Sequence, residues 1–306
     1  MVFSMERRIP TLSAVFLAVV LGLACSEPSV PSSASDASHA AHPSDPGRGA
    51  TLDAAAREAI LEEESLYSQF NEEIITRHFF GDERGGVFLD VGAYHWRDFS
   101  TTYYLEQKLG WSGIAIDALE GLRPSYEKNR KNTRFFAYIV TDHSGTEETL
   151  YSAGPISSTT EHHVNDVQDY YDDKTAADHP SQSEADNIRA WWGSLEARMD
   201  DGRVPRLTSD MAVAVTVPTI TLNELLDANG VERIDLLSMD IEQGEPAALA
   251  GFDIKRFRPR LVCIEAFGPA KEQIAAYFEE NDYVRIHRYD ALDHLNWYYQ
   301  PADDAR

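Results

Sequence analysis

The sequence predicts an α/β fold: a doubly wound, mainly parallel seven-stranded sheet with helices on both faces, whose last two strands form a hairpin. Two observations favour this fold. Short apolar runs alternate with segments of helical periodicity between residues 87 and 281, which is typical of parallel strands joined by right-handed helical crossovers. The first two apolar runs also end at acidic residues, Asp90 and Asp117, as strands do where a parallel sheet holds a nucleoside.

The predicted elements follow in order after a helical prelude over residues 51–84, with helical spacing at 66–80, which Gly85-Gly86 ends. Strands are predicted at 87–91, 113–116, 133–140, 234–239 and 260–265, a short edge strand at 149–152, and the closing hairpin at 283–289 and 295–299. Helices are predicted at 100–109, 122–130, 222–229, 245–249 and 270–281. Ser100 is a typical helix cap, and Gly110 a typical helix end.

One segment does not fit this alternation. Residues 154–214 are polar and acidic, contain Trp191-Trp192, and separate the third strand from the helix at 222–229. A connection of this length within a compact sheet is usually a functional lid or a disordered insertion. Helical spacing from Ala185 to Met199 favours a partly ordered lid.

The N-terminus is typical of a lipoprotein signal peptide, over residues 1–25. Arg7 and Arg8 form a basic region, residues 12–23 an apolar region, and small residues precede Cys25, which would carry the lipid. The apolar run is shorter than the roughly 20 residues of a comfortable membrane span. An uncleaved anchor is the alternative interpretation.

The segment after Cys25 is predicted to be a disordered tether. Residues 26–50 are rich in Ser, Pro, Ala and His, and such a composition cannot bury enough apolar surface to fold. Residues 51–306 then form the folded domain. We expect an exported protein that the lipid on Cys25 anchors to a membrane, in the periplasm or on the outer surface. A leader that does not function would leave the protein in the cytoplasm.

Composition limits the partners. The chain of 306 residues carries 51 acidic and 27 basic residues, a net charge of −24. Such a surface repels phosphate backbones, so no nucleic-acid partner is expected. Cys263 is the only cysteine after Cys25, so no disulfide forms within the domain, and its apolar neighbours predict a buried thiol.

Several blocks of residues, in order and correctly spaced, resemble the FkbM-type S-adenosylmethionine-dependent methyltransferases. The resemblance covers roughly residues 66–300 apart from the 154–214 insert. The blocks are Ser68-Gln69, Phe88-Leu-Asp-Val-Gly-Ala93, Phe99-Ser-Thr-Thr-Tyr-Tyr-Leu-Glu106, Leu109-Gly-Trp-Ser-Gly-Ile114, Ile116-Asp117, Thr221-Leu-Asn-Glu-Leu-Leu226, Ile234-Asp-Leu-Leu-Ser-Met-Asp-Ile-Glu242 and Arg258-Pro-Arg-Leu-Val-Cys-Ile-Glu265. The resemblance implies the class I Rossmann-like methyltransferase fold and S-adenosylmethionine as cofactor.

The resemblance also implies the residues that bind this cofactor: Asp90, Gly92, Ser100, Thr102, Asp117 and Asp142. Asp90 and Gly92 would form the first cofactor turn. The helix that follows Ser100 would turn its amides to the methionine carboxylate, although helix capping explains Ser100 nearly as well. Asp117 would accept bonds from the ribose diol. Asp142 would meet the adenine amino group, or is equally a turn residue.

The acids that end the later strands are the candidate catalytic residues: Asp240, Glu242 and Glu265. A carboxylate there could take the proton of an attacking hydroxyl or amine. The alternative is structural, with these carboxylates capping helices and holding loops. The three carboxylates could also hold a divalent cation, but none is paired with a His at ligand spacing, so no metal site is assigned. Ser157 and Ser158 match a serine pair that family members carry before the substrate region.

The chain departs from the family at two positions. Trp96 stands where many members have a second glycine, and Gln243 replaces the glycine of the usual Asp-x-Glu-Gly block. The favoured function is O-methylation of a small-molecule or carbohydrate hydroxyl. The alternative is an exported, catalytically lapsed protein that keeps the fold as a surface binding or scaffold protein, since fold does not fix function.

Overall fold

The computed structural model describes residues 52–152, 157–160, 213–266 and 268–305. Its helices are α1 (Ala54–Ile60), α2 (Glu72–Phe80), α3 (Tyr103–Leu109), α4 (Arg123–Asn129), α5 (Leu222–Ala228), α6 (Glu245–Ala250), α7 (Ile254–Phe257) and α8 (Ala270–Glu280). Its strands are β1 (Val87–Val91), β2 (Ser112–Asp117), β3 (Thr133–Ala137), β4 (Ile139–Val140), β5 (Glu147–Ser152), β6 (Val213–Ile220), β7 (Leu236–Met239), β8 (Leu261–Glu265), β9 (Tyr283–Arg285) and β10 (Asn296–Pro301). Short 3-10 turns lie at Glu120–Leu122, His287–Tyr289 and Ala302–Ala305.

The main sheet has seven strands in the order β3-β2-β1-β7-β8-β10-β9. Strands β3, β2, β1, β7 and β8 are parallel, and β10 is antiparallel to both of its neighbours. The predicted doubly wound sheet and its closing hairpin are therefore confirmed. Strand order reverses between β1 and β7, and open sheets of this kind bind ligands at such a point, beyond the carboxyl ends of the strands.

Helices cover both faces of the sheet, as predicted. Along β1 the side chains alternate: Phe88 packs in the cluster that contains Ile75 of α2 and Leu105 of α3, whereas Leu89 packs on the opposite face. The Leu89 cluster also contains Leu225 of α5. Since successive strand residues point to opposite faces, a run of five apolar or buried residues indicates a strand that is covered on both sides.

The predicted strand over residues 133–140 is wrong in one respect, because it is two strands in two sheets. β3 ends at Ala137, and β4 belongs to a small sheet with the order β4-β6-β5. Tyr138 donates its backbone N–H to the carbonyl of Asp117 at 3.1 Å, and Thr141 donates to the carbonyl of Ile220 at 3.1 Å. The chain thus leaves β2 and joins β6, a crossing that no pattern in the sequence predicts. The predicted edge strand at 149–152 is part of β5 in this small sheet.

Two predicted helices begin later than expected. Ser68 Oγ accepts the backbone N–H of Glu73 at 3.1 Å, and the Glu73 carboxylate accepts the N–H of Tyr67 at 3.0 Å. This reciprocal pair holds the preceding residues in turns, so α2 starts at Glu72 rather than near residue 66. The helix predicted from Ser100 starts at Tyr103, whose backbone N–H donates to Ser100 Oγ at 3.1 Å. The predicted strand at 283–289 ends at Arg285 and continues as a 3-10 turn.

Several predicted features lie outside the described residues. These are the signal peptide with Cys25, the tether over residues 26–50, and the helix from Ala185 to Met199 in the insert. Of the insert, the structure describes residues 157–160 and 213–214. No helix in the described ranges is long and apolar enough to cross a membrane.

A buried ion pair between Arg130 and Glu106 ties α3 to the loop before β3. The two side chains are in direct contact, with exposed fractions of 0% and 1%. Arg130 also donates to the carbonyl of Trp96 at 3.0 Å and to Thr102 Oγ1 at 3.1 Å. Glu106 accepts from Thr133 Oγ1 at 2.6 Å. The charges are therefore satisfied by further hydrogen bonds, which a pair removed from water requires.

We expect Arg130→Ala to lower the free energy of unfolding by about 3–5 kcal/mol, because it leaves the Glu106 carboxylate buried without its counter-ion. Urea unfolding followed by circular dichroism measures this loss. The matched control is Arg256→Ala, which breaks the solvent-exposed pair with Asp227 and should change stability far less. Equal effects of the two variants would contradict the structural role of Arg130.

Candidate functional site

The carboxyl ends of β1 and β7 approach each other closely at Gly92. This residue has φ +83°, and a Cβ placed on it would lie 1.6 Å from the carbonyl oxygen of Asp240. No residue with a side chain fits there, for reasons of both conformation and space. The sequence predicts that Gly92 lets a cofactor approach the backbone closely. The structure shows that Gly92 also lets the loops after β1 and β7 approach each other.

Two cavities open at this point. The larger, of about 150 Å³, is lined by residues that include Asp117, Tyr138 and Thr141. The smaller, of about 30 Å³, is lined by the following residues: Gln69, Glu72, Asp90, Val91, Gly92, Ala93, Phe99, Thr101, Ser238, Asp240, Cys263 and Asn296. Val91, Gly92 and Asp240 line both. The cavities therefore adjoin at the switch point of the sheet.

Asp117, the last residue of β2, lies in the larger cavity in a defined orientation. Its Oδ2 accepts the backbone N–H of Tyr94 at 2.9 Å, and its Oδ1 accepts that of Leu119 at 2.9 Å. Each carboxylate oxygen can accept a second bond, so both remain able to bind hydroxyl groups. Burial raises the pKa of Asp117 to about 6, although the two N–H groups oppose the shift.

Asp90, in the adjacent strand β1, faces the smaller cavity. Thr102 Oγ1 donates to Asp90 Oδ2 at 2.6 Å and itself accepts from Arg130. Burial raises the pKa of Asp90, and the hydroxyl and the guanidinium oppose this. Ser100 and Thr102 do not line either cavity and instead hold α3 and Asp90 in place. Thr101, which lies between them, lines the smaller cavity.

The structure does not bring Asp142 into the larger cavity. Its carboxylate is exposed and contacts His143 Nδ1 at 2.7 Å, while the preceding Thr141 lines the cavity. The adenine contact of Asp142 stays a prediction. Gln69 and Thr101 were not predicted as site residues. Gln69 lies in the Ser68-Gln69 block, which was the one available signal for it.

The acids at the ends of β7 and β8 form a crowded group. Asp240, Glu245 and Glu265 each offer a carboxylate oxygen, and these oxygens lie within 4.8 Å of one another. Burial raises the pKa of Asp240 and of Glu265 well above the ordinary carboxyl range, and the neighbouring carboxylates raise both further. Glu245 was not predicted, because an acid in the first helical turn has an ordinary explanation in the helix dipole.

Both serines of the insert lie at the larger cavity, and Ser158 contacts the loop after β7. Ser157 and Ser158 both line the larger cavity, together with Asp117 and Glu242. Ser158 Oγ donates to the carbonyl of Glu242 at 2.9 Å, and the Ser158 backbone pairs with Tyr151 of β5. The predicted substrate residues and the predicted catalytic loop are thus brought together.

A family model described as the methyltransferase FkbM domain matches residues 90–289. The chain belongs to the FkbM methyltransferase family. Its sheet order and its helices on both faces agree with a Rossmann-like methyltransferase fold. No curated protein and no solved structure matches the chain.

The departure of this FkbM chain at residue 243 has a structural consequence. Glu242 has φ +55° and Gln243 has φ +75°, so two successive residues with side chains are left-handed. Glycine adopts this conformation without strain, whereas other residues pay a steric penalty that persists only where surrounding contacts hold it. A glycine at position 243, as in the Asp-x-Glu-Gly block, would adopt this conformation without strain, whereas Gln243 adopts it at a steric cost.

We expect Gln243→Gly to raise the free energy of unfolding by about 0.5–1 kcal/mol, because relief of left-handed strain outweighs the greater freedom of the unfolded chain. Gln243→Ala is the control, since it removes the same side-chain contacts but keeps the Cβ and hence the strain. Thermal and urea unfolding measure both variants. A gain for alanine equal to that for glycine would show that backbone strain is not the cause.

Proposed function

We propose that this FkbM-family chain binds S-adenosylmethionine and transfers its methyl group to a hydroxyl oxygen of a small molecule or carbohydrate. The observation that supports this most directly is the pair of adjoining cavities that share Gly92 and Asp240. The cofactor is elongated, with a nucleoside at one end and an amino acid at the other. A ligand that fills both cavities would place its central sulfonium at their junction.

The chemistry of each cavity suits one end of this cofactor. In the larger cavity the Asp117 oxygens can accept both ribose hydroxyl protons, because the Tyr94 and Leu119 amides fix the carboxylate. In the smaller cavity Asp90 can bind the ammonium group, and the Gln69 amide and Thr101 hydroxyl can bind the carboxylate. Asp240 at the junction would face the positive sulfonium, an arrangement that charge attraction stabilises.

The proposed transfer is a direct displacement. The bound cofactor would supply an electrophilic methyl group: as the acceptor oxygen bonds to the methyl carbon, the bond from that carbon to sulfur would break and its electron pair would stay on sulfur. The hydroxyl proton goes to a carboxylate, for which Asp240 is best placed and Glu242 the next candidate. Since burial raises the pKa of Asp240, the nearby sulfonium charge would also be needed to hold this residue ionised.

A second candidate is an exported protein that keeps the fold but no longer transfers methyl groups. Two observations favour it: the strained Gln243 in the loop nearest the proposed chemistry, and a leader that would carry the chain away from the cytoplasm. Under this proposal the acidic cavities would be reused for another ligand or left empty. Cofactor binding separates the two candidates.

We expect the full-length chain to bind S-adenosylmethionine and Asp117→Asn to weaken binding by about 1–3 kcal/mol through loss of a charged acceptor. Because burial raises the pKa of Asp117 to about 6, ionisation of this carboxylate should make affinity rise from pH 5 to pH 7, and the Asn variant should show a smaller rise over this range. Titration calorimetry measures both. Glu120→Gln, which removes a nearby exposed acid, is the control. No binding heat at millimolar cofactor, with the protein folded, would reject the proposed function.

We further propose that the chain is exported and anchored through a lipid on Cys25. The basic region, the apolar run and the small residues before Cys25 support this. Metabolic labelling with palmitate in a bacterial host should label the parent and not Cys25→Ser, and only the parent should partition with membranes. Cys263→Ser is the matched control, because Cys263 is a buried thiol of β8. Label that persists in Cys25→Ser would overturn the anchor.

A further inference from the structure

Three carboxylates from three different elements converge beside the candidate site. Asp240 follows β7, Glu245 is the first residue of α6, and Glu265 is the last residue of β8. Their oxygens lie within 4.8 Å of one another. Glu245 is 1% exposed and Glu265 8% exposed. Three negative charges so close and so poorly hydrated repel one another strongly, so the group needs a positive charge or bound protons.

A second observation shows that this group is incomplete. Within the described part of the chain, the buried Oε2 of Glu265 has no hydrogen-bond partner. A buried carboxylate oxygen without a partner carries its full desolvation cost, and native structures rarely keep one without a ligand or a functional reason. One oxygen of Glu245 is occupied, since it accepts the backbone N–H of Ile241 at 2.9 Å, and this bond orients the carboxyl group towards the cluster.

We propose that Asp240, Glu245 and Glu265 bind one hard divalent cation of the Mg²⁺ or Mn²⁺ class. Carboxylate oxygens are the ligands that such ions prefer, and no His is needed. The ligands stand on two strand ends and the start of a helix, so rigid elements position them. Three protein ligands leave further coordination positions for water or for an oxygen of the acceptor.

The role of this cation rests on the proposed methyl transfer. Asp240 lines both cavities, so a cation on its carboxylate would lie beside the junction where the methyl group is presented. A bound cation lowers the pKa of a coordinated hydroxyl and orients it for attack. In the loaded protein Asp240 would then be a ligand, and the acidified hydroxyl would release its proton to water or to Glu242. The acceptor class is thus an oxygen nucleophile.

The test is cation binding without cofactor. The full-length chain is freed of metal with a chelator and titrated with Mn²⁺, and the free ion is followed by electron paramagnetic resonance. We expect one saturable site per chain, and Glu245→Gln and Glu265→Gln to weaken it by about 10- to 100-fold. The control is Glu83→Gln, which neutralises a comparably buried acid that pairs with Arg260 and lines neither cavity, and which should leave Mn²⁺ affinity close to that of the parent.

Each outcome decides the proposal. Folding of the variants is checked by circular dichroism, and Mn²⁺ should raise the melting temperature of the parent but not of Glu265→Gln. No saturable binding by the folded parent, or equal binding by all variants, overturns the cation site and leaves shared protons as the explanation of the cluster. Asp117→Asn should keep the Mn²⁺ site while it weakens cofactor binding. A chain that binds Mn²⁺ but not S-adenosylmethionine would reject the proposed function alone.

Discussion

The candidate site depends on the contact between the backbones of Gly92 and Asp240. Both residues follow central parallel strands, and their loops then turn towards opposite faces of the sheet. The contact is possible only because residue 92 has no side chain and adopts a positive φ. A methyl group there would force the two loops apart, and with them the cavities on either side. The same glycine therefore lets the loops after β1 and β7 meet at the switch point of the sheet, and it shapes the candidate site.

The carboxylates on the two sides of this contact differ in their hydrogen-bond partners. Asp117 accepts two backbone N–H groups, and Asp90 accepts a hydroxyl that Arg130 in turn supports. On the β7 and β8 side, one oxygen of Glu265 has no hydrogen-bond partner among the residues that the structure describes, and the neighbouring acids repel one another. Oriented dipoles lower the cost of holding the first pair buried and ready for a ligand. The second group is costly without one, which is typical of groups that act on a ligand rather than stabilise the fold.

The sequence predicted those parts of the fold that are determined locally. β1, β2, β7 and β8 are covered on both faces, so each appears as a short apolar run, and carboxyl-end acids such as Asp117 and Asp240 follow from the parallel arrangement. β6 was missed because its early residues are exposed and it contains Pro218, which weaken the strand pattern. Gln69 and Thr101 reach the smaller cavity through packing between distant segments. Both lie in blocks that resemble the family, but no residue pattern within those blocks indicates which positions face a cavity.

The loop after β7 contains the strained residues of the site and joins two of its clustered acids, Asp240 and Glu245. Two successive left-handed residues, Glu242 and Gln243, reverse the chain, and the reversal brings Glu245 back to the N–H of Ile241. The turn is also held from outside, because Ser158 donates to the carbonyl of Glu242. Backbone strain and crowded acids both oppose this conformation, so other contacts must outweigh them. A bound cation would act on the charge, and the serine contact acts on the turn. The start of the insert, and a cation bound to the acidic group, would thus together hold this loop.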